Sequence, residues 1–266
     1  MQAGTAGLAL ASLVYLGVSV GFLRDLFAGR PGPWDRWRSL LWSGLGLHSV
    51  GLLLLTVSLG HFPISGIAET TGSLAWAIVL MHQVIGPRWN TEVLGALTAP
   101  VAFTLTVFCL AALRLQASVP TPSSWVVLHV ISVLLGYGAF TLASLCAALY
   151  VVQARLLKRK SIGGLFMRLP PLGTLDRVAY RLILLGFLPM ALGVASGMLL
   201  MHGESGSWWN WEPKLTLVAL TGLVYLVYLH ARLLAGWQGR RVNMLLLVAF
   251  FCVLISYLAP GDFHRF

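Results

Sequence analysis

Long apolar runs recur from one end of the chain to the other, and they restrict the fold more than any other feature. A helix needs about 20 residues to cross the ~30 Å hydrocarbon core of a bilayer. Eight runs meet or approach that length, with approximate limits 4–27, 39–59, 69–86, 92–114, 124–154, 178–202, 213–234 and 242–260. Of the 266 residues only 10% are charged, too few to cover a water-facing surface. In lipid the backbone must satisfy its own hydrogen bonds, which selects helices for such runs. The expectation is an all-α, polytopic membrane helical bundle of about eight transmembrane helices, one domain over 1–266. The first run lacks a preceding basic stretch and is too long for a signal-peptide core, so it reads as a retained span. The fifth run is long for a bilayer and is expected to continue as helix through residues 155–160.

The net charge of +10 would point to nucleic acid in a soluble protein. Here the basic residues occupy alternate loops, which speaks for topology and against nucleic acid. Arg24, Arg30, Arg36 and Arg38 follow span one. Arg155, Lys158, Arg159, Lys160, Arg168 and Arg177 follow span five, and Arg232, Arg240 and Arg241 follow span seven. Loops after spans two, four and six have almost no Lys or Arg. By the positive-inside rule the basic loops are cytoplasmic and both termini lie outside. The basic stretch 155–181 could also meet anionic membrane lipid or a soluble partner. Cys109, Cys146 and Cys252 sit within apolar runs without a C-x-x-C pair, so they read as small core residues and argue against a thiol–disulfide carrier. Glu69 and Glu92 lie at span edges and Asp is absent from span interiors, which weakens a proton-coupled permease.

One outer loop stands apart. Residues 203–214 read G-E-S-G-S-W-W-N-W-E-P-K, with Trp208, Trp209 and Trp211 inside four positions. Interfacial Trp scatters around a bundle, whereas these converge. A dense aromatic platform with a few polar groups suits a large flat ligand. Pro213 fits the first turn of span seven, and Glu212 is placed near the positive end of that helix.

This loop resembles the W-G-x-x-W-x-W-D-P-K signature of the cytochrome c assembly family, whose branches include the CcsA/ResC, CcmC, CcmF and HemX-like proteins. Three other segments, in order, resemble the family as well. His61-Phe62-Pro63-Ile64-Ser65 with Glu69 is similar to its H-F-P-x-S…E stretch. L-P-P-L-G-T-L-D-R at 169–177 and Y-L-H-A-R at 228–232, followed by G-W-Q-G-R-R at 236–241, match its basic-side motifs. Ser205 stands where the family usually has its first Trp, and Glu212 replaces Asp. Both point to the short CcsA-like or HemX-like branch.

The resemblance implies haem b as the ligand and a bacterial cytoplasmic (inner) membrane as the location, with the Trp loop on the periplasmic side. It implies axial iron ligands at His129, near the outer end of span five, and His264, just beyond span eight. It also implies a transmembrane ligand at His230. Ionisable side chains within a bilayer are functional candidates in their own right. By helical rise His230 lies roughly 25 Å and His82 roughly 20 Å from the outer end of their spans, which favours them as a pair. His48, near the middle of span two, is similar to a histidine of the HemX-like branch. Lys214 is the nearest cation for a haem propionate, with His202 a further contact, and His61 is weakly indicated. A CcsB/ResB-like membrane partner and apocytochrome c are the implied partners. Two functions stay open at this point. One is presentation of haem for cytochrome c assembly, as the membrane component of a cytochrome c synthase. The other is a HemX-like accessory that senses or buffers haem, or regulates its synthesis, without attaching it.

Overall fold

The computed structural model describes residues 1–28, 34–89, 91–115, 122–161 and 163–259. They form eight long helices: α1 (Gln2–Phe27), α2 (Trp34–Leu59), α3 (Gly66–Trp89), α4 (Gly95–Ala112), α5 (Ser124–Lys158), α6 (Leu172–Ser205), α7 (Pro213–Leu233) and α8 (Arg240–Leu258). Seven are long and apolar enough to cross a membrane. The exception is α3, which has the length but more polar residues. The reason is its position: α2, α4 and α5 pack around it, and Thr71, Ser73, His82 and Gln83 are buried against protein. A helix shielded by its neighbours need not be apolar all round. The chain is a multi-pass membrane protein.

Small residues set the closest contacts, as expected where lipid removes the hydrophobic drive between helices. A Cβ on Gly7 of α1 would lie 2.9 Å from the Cα of Gly51 on α2. The most extensive interface joins α5 to α6. There Gly186, Gly193 and Gly197 of α6 receive Phe140, Val133 and His129 of α5, each within 3 Å of where a Cβ would stand. The glycine ridge therefore brings the Trp-loop end of α5 onto α6. At 35 residues α5 runs past the bilayer at its basic end, as its sequence suggests.

Antiparallel alternation collects the three basic segments at one end of the bundle and the Trp loop at the other. The basic end is held by specific bonds. Asp25 accepts from the indole of Trp37 at 2.9 Å, and its backbone carbonyl accepts from Arg168. A buried cluster ties α6, α7 and α8 together. The Asp176 carboxylate accepts from Arg232 at 2.6 Å, from the Asn243 amide at 2.7 Å and from the Gly239 N–H at 3.3 Å. Arg232 also lies over the Tyr180 ring. Asp176, Arg232 and Gly239 belong to the two basic-side motifs, so those motifs meet in one structural joint.

Candidate functional site

The site is built where α5, α6 and α7 reach the Trp-loop end. Helix α6 stops at Gly206, which takes the left-handed conformation (φ 70°) and returns its N–H to His202 O at 2.9 Å. Ser205 bonds back to the Met201 carbonyl at 2.8 Å, so a hydroxyl extends the helix where the family motif has an indole. Ser207 Oγ donates to Trp209 O at 2.7 Å and braces the turn. Pro213 then opens α7, its fixed φ and missing N–H suited to a first helical position. Glu212 is the N-cap residue, and its carbonyl accepts from Thr216 N at 3.0 Å.

The three indoles are held differently. Trp208 stacks on the His202 imidazole, with centroids 4.0 Å apart and planes 8° from parallel. Trp209 and Trp211 meet edge to face at 5.7 Å. Trp211 is 80% exposed and Trp208 51%. Such exposure of large aromatic faces on one loop is the mark of a surface that something else covers.

His129 lies one turn into α5, below this loop. Its Nδ1 is 2.7 Å from Gly193 O, which makes Nδ1 the donor. The ring rests on Gly197, where a Cβ would be 2.8 Å from Cε1. A ring nitrogen bonded to a backbone carbonyl is the arrangement that orients metal-ligating histidines. Lys214, in the first turn of α7, is near enough for its charge to act on this ring, and Glu212 acts on Lys214 in turn. His129, Lys214, Glu212 and the Trp loop therefore form one neighbourhood. These residues fit an iron porphyrin in kind: an oriented imidazole, aromatic faces and a cation for a propionate. His264 lies outside the described residues.

The other histidines do not converge. His48 is fully buried, 3.3 Å from the Tyr15 hydroxyl, with the Gly72 backbone facing it. His82 is buried ten residues further along α3, about 15 Å by helical rise. His230 is exposed on the outer surface of α7, which packs chiefly on α8 and not on α3. The structure thus does not bring His82 and His230 together, although counting residues gives them similar depth. Among the described residues no group of three or more His, Cys, Asp or Glu could hold a metal ion. His61 lies at the N-terminal end of α3. It lies 3.9 Å from Glu69, whose carboxylate accepts from Ser65 N at 2.8 Å.

Residues 64–260 match the family model described as Cytochrome C assembly protein. The chain belongs to that family. It is 33% identical over 246 residues to the cytochrome c biogenesis protein CcsA of Synechococcus sp. (strain CC9902), covering 80% of this chain and 81% of that protein. It is 34% identical over 224 residues to CcsA of Prochlorococcus marinus subsp. pastoris (strain CCMP1986 / NIES-2087 / MED4), covering 75% and 71%. Among solved structures, the cytochrome c heme lyase CcmF superposes on 98% of the chain with a TM-score of 0.68 at 15% identity. The chain spans about half the length of that CcmF, 47% of it, so this likeness speaks for the fold. The family places the chain in cytochrome c biogenesis, a haem-handling process.

Proposed function

We propose that the chain receives haem b and presents it at the outer face of the membrane for attachment to apocytochrome c. The observation that carries this reading is the oriented His129 ring, within electrostatic reach of Lys214 at the end of the bundle that carries three exposed indoles. Trp208, Trp209 and Trp211 would offer aromatic faces to the porphyrin, and His129 and His264 would serve as its iron ligands. Lys214 pairs with a propionate. Bound haem supplies the vinyl groups to which apocytochrome thiols add. The protein's own contribution is to orient that substrate, shield its iron and exclude other nucleophiles. The basic end faces the cytoplasm, which sets the Trp loop and both termini outside. One domain over 1–266 performs this role.

His230 fits a separate, partner-dependent task. An imidazole exposed on the lipid-facing surface of α7 is costly unless something meets it. A CcsB/ResB-like membrane partner packed on α7 satisfies that ring and helps to hold the apocytochrome. The test is a deletion host complemented with the wild-type gene or with His129→Ala, stained for covalent haem. Complementation by wild type and loss of c-type haem with the variant, at equal protein level, is the expected result. Normal c-type cytochromes in the uncomplemented deletion host would overturn the reading in favour of an accessory role.

A further inference from the structure

Although consecutive in the chain, α6 and α7 are not packed against each other along the membrane. Between them lies a shallow, open cleft, floored by α5 and α8 and lined by Tyr137, Phe140, Phe187, Val194, Thr221 and Tyr225, among others. Its rims carry exposed Val194 and Gly222, flanked by lipid-facing Leu192, Leu220 and Leu223. The cleft opens sideways towards lipid, not towards water.

Its floor holds a polar atom with nothing to bond. Tyr225 is 2% exposed, and its ring stacks on Phe140 with centroids 4.0 Å apart. Its hydroxyl is buried without a hydrogen-bond partner among the described residues. Thr221 donates to Leu217 O at 2.7 Å and Ser256 to Val253 O at 2.9 Å, and neither hydroxyl is placed to accept from the phenol. An unmet phenol in an apolar site calls for an acceptor from outside.

Depth selects the acceptor. Tyr225 is twelve residues past the start of α7, about 18 Å along the axis. That is near the middle of a core ~30 Å thick. Phospholipid ester carbonyls stay at the interface and do not reach it. An ionised carboxylate, such as a haem propionate, is too costly there. An acyl chain has no acceptor to offer. A neutral conjugated ring bearing a carbonyl oxygen meets both demands, because its face suits the Phe140–Tyr225 stack and its oxygen suits the phenol.

The geometry points to an intramembrane binding site for a lipid-soluble quinone in this cleft, with Tyr225 Oη donating to a quinone carbonyl and an apolar tail leaving between α6 and α7. The site is separate from the Trp loop and independent of the haem reading.

The test uses the full chain in nanodiscs and a radiolabelled short-tailed quinone, decylubiquinone, with empty nanodiscs as background. Saturable binding to wild type is expected. Tyr225→Phe should weaken it about five- to tenfold, the share of one lost hydrogen bond. Gly222→Leu fills open space at the rim and should abolish it without disturbing packing. Binding no greater than in empty nanodiscs would overturn the proposal. So would equal binding by wild type and both variants, or a tightly held phospholipid that the quinone does not displace. Haem uptake, read from the Soret band, should be unchanged in Tyr225→Phe.

Discussion

Gly197→Ala is a small change with a calculable effect on the site at the Trp-loop end. The new methyl would sit 2.8 Å from Cε1 and 3.0 Å from Nδ1 of His129. Reaching the 3.4 Å of ordinary contact requires the ring to withdraw by about 0.6 Å. The ring is fixed by its 2.7 Å bond to Gly193 O, on the same helix as the new methyl, so withdrawal stretches that bond. A neutral hydrogen bond contributes about 1 kcal/mol, and loss of an orienting partner weakens metal affinity by roughly 10–100-fold. Haem affinity should therefore fall about tenfold, or about 1.4 kcal/mol. The helix itself should not suffer, because Ala is the better helix former by roughly 1 kcal/mol in water. The assay is titration of the apoprotein in nanodiscs with haem, followed by Soret absorbance. Gly203→Ala is the control, since nothing lies within 4 Å of a Cβ there. Equal affinity of Gly197→Ala and wild type would refute the claim that His129 is held on α6 for iron.

Other outcomes follow from the same geometry. Asp176→Asn leaves the Arg232 guanidinium, only 9% exposed, without its counter-charge. Breaking such a buried pair costs about 3–5 kcal/mol, so the thermal midpoint in detergent should drop clearly, and Asp176→Asn with Arg232→Met should recover part of it. Trp211→Ala removes an indole that is 80% exposed, so stability should change by no more than ~0.5 kcal/mol while covalent haem staining declines. Replacing the fully buried His48 by Ala should destabilise the bundle by about 2 kcal/mol or more. Its residual haem titration at the outer site should match wild type, as checked by thermal unfolding beside a Soret titration.

Much of the bundle is legible in the sequence because lipid imposes a length and a polarity on each span. The α7 limits of 213–234 anticipated from the sequence differ from the observed Pro213–Leu233 by one residue. Helix α3 shows where that logic weakens, since its Thr71, Ser73 and Gln83 answer to neighbouring helices and not to lipid. The Trp loop stands out in the sequence because such dense aromatics are rare, whereas His129 is singled out there by the family resemblance. The seat of His129 is not legible, because Gly197 lies 68 positions away and looks like any helical glycine. Residue counting gives depth along a helix but neither its rotation nor its neighbours, which is why His82 and His230 seemed matched. Asp176 and Arg232 stand in motifs visible in the sequence, yet only the fold makes them partners. Tyr225 gives no sequence signal at all, since an unmet hydroxyl is defined by what surrounds it.

The central claim is that His129 binds haem iron beneath the Trp loop. Its most direct measurement is the absorption spectrum of the purified chain, wild type against His129→Ala, each expressed in a haem-replete host. Wild type should show a Soret band that is lost or markedly shifted in the variant, with recovery on adding imidazole to fill the vacated ligand position. An unchanged band in His129→Ala at equal protein concentration would contradict it.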